Sequence, residues 1–174
     1  MLSDEALRER LLRGDVGAFD ALYDRHARPL HGFIRRMLGD PHEAEDVLHE
    51  AFLAMLREPP DAAVVSLRAW LYRVARNLCL NRIRSRRRGA RAVEAAADPD
   101  ASAAPPDRAY EAHEAEARLR RAVARLPEAH AELYALRAGG MQYDEIAAVL
   151  GVPVGTVKSR AHEMVSRLRE EMTR

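Results

Sequence analysis

Residues 143–169 read YDEIAAVLGVPVGTVKSRAHEMVSRLR, and the spacing of small, apolar and turn-forming residues along them decides how this end of the chain folds. Ile146, Leu150, Val152 and Val157 supply the shared core of two successive helices. Ala147 is small where those helices cross closely, and Gly151, four residues later, suits the left-handed backbone of a tight turn. Pro153 suits the start of the second helix, because its fixed φ is already helical and its missing N–H is not needed there. The pattern is that of a helix-turn-helix. Its second helix would present Thr156, Lys158, Ser159, Arg160, His162 and Glu163 outward, groups able to reach phosphates and base edges. An ordinary helical hairpin with a solvated charged face shares part of this pattern; the alanine, glycine and valine spacing favours the DNA-reading form.

Upstream, helical periodicity is evident in the first half of the chain, and no strand signal appears anywhere. Phe19, Leu22, Tyr23, His26, Leu30, Phe33, Ile34 and Met37 form one apolar stripe at three- and four-residue steps. Pro29 lies inside the stripe and is expected to kink that helix or remove one hydrogen bond. Asp40, Pro41 and Glu43 mark the next start as N-cap, first helical position and capping-box partner, with Ala44, Val47, Leu48, Ala51 and Met55 as the buried face. Ser66 opens a further helix through Trp70, Leu71, Val74, Leu78 and Ile83. Residues 89–108, alanine-rich with Pro99, Pro105 and Pro106, read as a linker. Helix-like sequence returns at 109, another helix begins at Pro127, and Gly139-Gly140 form a turn. The expected fold is all-α: a helical bundle over 1–88, a linker over 89–108, and a helix-turn-helix domain over 109–174.

Charge is polarised along the chain although the net is only +1. Residues 1–60 carry 8 Arg against 12 Asp and Glu, residues 61–91 carry 9 Arg against one Asp, and residues 92–174 carry 11 Lys and Arg against 14 Asp and Glu. All the surplus positive charge therefore sits in one stretch. Seven arginines from 73 to 88, with no acid among them, make a phosphate-attracting field, and a helix end next to a linker would tolerate them as well. The preceding helix is acidic on its outer side, with Glu43, Glu45, Asp46 and Glu50, a face that should avoid DNA and suit a basic protein partner. Asp46 and His49 have the spacing used in di-iron bundles, but no other histidine has a carboxylate three residues before it, so no metal is expected.

Composition narrows the function classes. With 48% hydrophobic and 32% charged residues the chain can form a core, which separates it from disordered acidic chains. A polar N-terminus and the lack of a long apolar run argue against a signal peptide or membrane insertion, so a cytoplasmic location is expected. The single cysteine, Cys79, has no disulfide partner and reads as a small buried hydrophobe. No catalytic constellation and no cofactor are expected.

Taken together, DVLHEAFLAML (46–56), SLRAWLYRVARNLCLNRIRSRRR (66–88) and EIAAVLGVPVGTVKSRAHEMVSRLR (145–169) closely resemble the extracytoplasmic-function sigma factors of bacterial RNA polymerase. The resemblance implies a non-enzymatic initiation factor whose partners are core RNA polymerase, through its β′ and β subunits, promoter DNA and an anti-sigma factor. By position it implies core-polymerase binding for Asp46, His49 and Glu50. It implies contact with a melted minus-ten element for Arg73, Arg76, Asn77, Asn81, Arg82 and Arg84, and capture of an unstacked base by the loop 57–65. Minus-thirty-five reading falls to Thr156, Lys158, Ser159, Arg160, His162 and Glu163, and the linker to the RNA-exit path. Three departures stand out: His49 where glutamine is usual, Glu163 where arginine is common, and a short 57–65 loop with no aromatic residue. A free-standing helix-turn-helix regulator would need only the last domain and explains less of the sequence.

Overall fold

A computed structural model describes residues 2–58, 60, 66–94 and 111–173. Among these residues the protein is eight α-helices with no strand. They are α1 (Asp4–Leu12), α2 (Val16–Leu38), α3 (Pro41–Arg57), α4 (Leu67–Glu94), α5 (Glu111–Ala124), α6 (Glu128–Ala138), α7 (Tyr143–Leu150) and α8 (Val154–Thr173). The fold is all-α, as the periodicity predicts.

The helix boundaries follow local chemistry. Asp40 Oδ1 accepts from the Glu43 backbone N–H at 2.9 Å with Pro41 at the first position, and that bond holds the Asp40 carboxyl below its ordinary range. The capping box expected there does not close through Glu43, whose carboxylate turns outward to Arg86 at 3.0 Å. Ser66 caps α4 through the Ala69 N–H at 3.2 Å. Gly39 and Gly151 end α2 and α7 in the left-handed region, with φ of 77° and 68°. α2 runs on through Pro29, at the cost of the hydrogen bond that residue 29 cannot donate.

α2, α3 and α4 pack around one another with α1 across α2, and α8 gathers α5, α6 and α7. Leu22, Leu30, Phe33, Ile34, Val47, Met55, Leu71 and Tyr72 fill the first group; Leu133, Leu136, Met141, Ile146 and Val157 fill the second. Rather than standing apart, the two groups meet where α4 packs on α7 and α2 on α6, and the buried residues form one continuous cluster. That contact rotates the buried side of α4 from the predicted stripe. Leu67, Leu71, Tyr72, Ala75 and Cys79 are fully covered, whereas Trp70, Val74, Leu78 and Ile83 are half-buried. α4 also continues through Gly89 to Glu94, taking in the first six residues of the expected linker. The run Ala90, Arg91, Ala92 that follows has high helix propensity and offsets a glycine cost of about 1 kcal/mol. The rest of the expected linker lies outside the described residues.

At the N-terminal end, Asp4 ties α1 to α2: it accepts from Arg25 and lies 2.8 Å from His26 Nε2. Burial pushes the His26 pKa down, against the opposing pull of the Asp4 carboxylate. Cys79 is fully buried, and loss of solvent raises its thiol from 9.0 to about 12. The native protein is therefore expected to resist a thiol alkylating reagent at pH 8 and to react once unfolded by guanidinium. Mass spectrometry of the two samples reads this directly, and rapid native labelling would show the site to be open.

Candidate nucleic-acid and partner interfaces

The outer side of α3 carries Asp46, His49 and Glu50, all exposed, because the buried face of the helix is set by Ala44, Val47, Leu48, Ala51 and Met55. Leu53 and Leu56, each 45% exposed, extend the same side toward the C-terminal end of the helix. They were not singled out in the sequence. The available signal was their position one and two turns beyond His49 and Glu50, off the buried stripe. The result is a surface that is acidic at one end and apolar at the other. Of the loop 57–65, residues 59 and 61–65 lie outside the described residues, and with them the expected base-capture segment.

α4 divides the arginine field into three directions. Arg73, Asn77, Asn81, Arg84 and Arg88 are all exposed and fall at helical spacing on one stripe. Toward α3, Arg82 pairs with Glu50 and lies 3.6 Å from Asp46, while Arg86 pairs with Glu43 and donates to the Leu38 carbonyl at 3.1 Å. Toward α6, Arg76 grips Glu132 with both ends of its guanidinium, the second contact at 3.2 Å. Arg87 lies 3.5 Å from Glu128. Much of the field is thus answered by acids distant in sequence. Arg84 and Arg88 make no ion pair among the described residues. Of the residues expected at the minus-ten element, Arg73, Asn77, Asn81 and Arg84 share the stripe; Arg76 and Arg82 sit on its two flanks. Arg82 also joins the expected minus-ten set to the expected polymerase set, since it is the cation between Asp46 and Glu50.

In the C-terminal group, Gly151 makes the turn and α7 rests on α8 through Ile146, Ala147 and Val157, as the spacing requires. Lys158, Ser159, His162 and Glu163 are exposed, and Thr156 and Arg160 half-buried. Lys158 and His162 line a 360 Å³ groove with Tyr143, Ala161, Val165, Ser166 and Arg169, basic residues on a partly apolar floor. Ser159 donates to the carbonyls of Gly155 and Thr156 at 3.2 and 3.1 Å. Glu163 leans back toward α6, 3.3 Å from His130 Nε2, so its carboxylate is partly engaged within the protein. The helix can offer a cationic edge and a polar edge to a DNA groove.

Two family models match the chain. Sigma-70 region 2 matches residues 22–89 and sigma-70 region 4 matches residues 116–168. The chain is 33% identical to the RNA polymerase sigma-H factor of Pseudomonas aeruginosa, over 98% of this chain and 96% of that protein. It is 36% identical to the ECF RNA polymerase sigma factor SigM of Mycobacterium tuberculosis, over 95% and 83%. The chain belongs to the extracytoplasmic-function group of the sigma-70 family. In this RNA polymerase sigma factor the region 2 match covers most of α2–α4 and the region 4 match most of α5–α8. The fold is shared with CnrH, solved in complex with the cytosolic domain of CnrY (TM-score 0.71, 24% identity, 96% of this chain and 95% of that one). It is also shared with the sigma factor RpoE, solved with the anti-sigma factor NepR from Bartonella quintana (TM-score 0.70, 22% identity, 89% and 96%). No helix among the described residues is long and apolar enough to cross a membrane.

Proposed function

We propose that this sigma factor docks on core polymerase through the outer side of α3, with Asp46, His49, Glu50, Leu53 and Leu56, and directs it to promoters with two DNA-facing surfaces. α8 reads the minus-thirty-five element in the major groove with Thr156, Lys158, Ser159, Arg160, His162 and Glu163. The α4 stripe, flanked by Arg76 and Arg82, holds the minus-ten strand once it is open. The observation that carries this reading is the exposed row Arg73, Asn77, Asn81, Arg84, Arg88: two amides lie between cations along it, a surface suited to phosphates and unstacked bases. Opening DNA costs a few kcal/mol per unstacked base, which binding energy offsets, so the chain needs no covalent chemistry and no cofactor. The work is proposed for the cytoplasm, and an anti-sigma protein is proposed as the partner that silences it, in keeping with the anti-sigma factor bound to RpoE in its complex with NepR.

Asp46→Arg in the full chain tests the docking face. Asp46 is largely exposed and Arg82 keeps its contact with Glu50, so the helix should stand. Binding to core polymerase is expected to weaken about tenfold or more, the cost of placing a like charge against a basic partner, with binding to a minus-thirty-five duplex unchanged. Core binding at the wild-type level would remove α3 from the interface.

A further inference from the structure

Resting on the promoter reading above, we propose that Glu163 selects a cytosine at one position of the minus-thirty-five element, and that His130 on α6 is the positioning residue that aims its carboxylate.

Between Val154 and Arg169, α8 carries Lys158, Arg160, Arg167 and Arg169 and a single acid, Glu163. A carboxylate is a costly group to bring to DNA, because it repels every phosphate it approaches. Its place on the helix limits what it can touch. Glu163 follows Ser159 by one turn and Thr156 by two, so the three form one strip. By helical spacing, Arg160 and Arg167 flank the strip on one side, and Lys158, His162 and Arg169 flank it on the other. With α8 in the major groove, the flanking cations meet phosphates and the strip between them meets base edges.

The carboxylate is held from behind. Glu163 Oε2 lies 3.3 Å from His130 Nε2, and the histidine side chain is 11% exposed where that of Glu163 is 61% exposed. A carboxylate only accepts, so Nε2 carries the proton of this contact. The other ring nitrogen, Nδ1, is buried with no hydrogen-bond partner among the described residues, which leaves Glu163 as the imidazole's polar contact. An apolar side chain would avoid the cost of that unmet nitrogen. His130 also lies in the first turn of α6, whose positive end favours a carboxylate. With Oε2 tied, Glu163 offers Oε1 as one charged acceptor. In the major groove cytosine presents an amino donor, whereas guanine and thymine present acceptors and adenine sets its N7 acceptor beside the amino group. Cytosine is therefore the base that this carboxylate accepts from without repulsion.

The test uses holoenzyme assembled from core polymerase and the full chain. Promoter fragments from the source genome are captured and sequenced, and one recovered upstream element is then randomised and captured again. The wild type is expected to favour cytosine over thymine and guanine about tenfold at one position. E163Q keeps an acceptor without the charge and should reduce that preference to about threefold. E163R should move the preference at the same position to guanine, whose O6 and N7 accept from a guanidinium. H130F fills the site with a ring that cannot donate and should cost as much cytosine preference as E163Q, with nothing further lost in the double variant. H130Q supplies a donor again and should recover most of the preference. A folding defect would lower capture of all fragments alike and leave the base frequencies unmoved. No cytosine preference in the wild type, or one unchanged in E163Q and E163R, overturns the assignment while an enriched upstream element keeps the promoter reading. Preference lost in E163Q and kept in H130F overturns the role of His130. No enriched element with wild-type holoenzyme removes the promoter reading and the cytosine assignment with it.

Discussion

Replacing Lys158 and Arg160 together by alanine is expected to lower affinity for a minus-thirty-five duplex roughly tenfold or more near 0.1 M salt, and to flatten its salt dependence by about two units of slope. Lys158 stands exposed at the rim of the groove shared with His162 and Arg169, and Arg160 lies half-buried on the neighbouring edge of the same helix. Neither side chain makes an ion pair among the described residues, so both charges are available to phosphate and their loss leaves no buried partner behind. The fold should survive, because α8 is anchored by Val157, Ala161 and Met164. Anisotropy titrations of the full chain over a range of salt concentrations give both affinity and slope. An unchanged slope would mean that these side chains do not touch phosphate.

Alanine at Phe33 is expected to destabilise the protein by about 3–5 kcal/mol and to lower Tm by about 10 °C. Phe33 is fully buried in the C-terminal half of α2, with its ring 5.2 Å from that of Tyr72 on α4, so the substitution removes an aromatic pair and leaves a cavity between two helices. Leu53→Ala is the matched control. With its side chain exposed on α3 it should change stability by no more than about 0.5 kcal/mol while weakening core-polymerase binding. Guanidinium melts of both variants check the pair, and a small effect at Phe33 would mean that the α2–α4 core collapses around the gap.

What could be read from the sequence was local. Gly151, Ala147 and Val157 act within a span of eleven residues, and their sizes alone dictate a tight turn between two crossing helices. Asp40 and Ser66 satisfy backbone donors three residues away, so their caps were also visible. What escaped depended on partners distant in the chain. The arginines of α4 looked like a field without counter-charge because the acids that answer them, Glu43, Glu50 and Glu132, lie on other helices. Packing against α7 turned the buried side of α4 toward Tyr72 and Cys79, a rotation that periodicity cannot foresee when a helix is covered from two directions. Glu43 shows the same competition at one residue: its position is that of a capping partner, yet a guanidinium from α4 takes the carboxylate. Leu53 and Leu56 were apolar positions on an amphipathic helix, and only the packing shows that nothing in the described chain buries them.

The measurement closest to the central claim is run-off transcription by core bacterial RNA polymerase with and without this protein, on a pool of promoter fragments from the source genome at moderate salt. The account predicts protein-dependent transcripts whose start sites share two spaced upstream elements, lost when Lys158 and Arg160 are replaced. DNA binding without any protein-dependent transcript would contradict it, and would leave a regulator that keeps the sigma fold without directing polymerase.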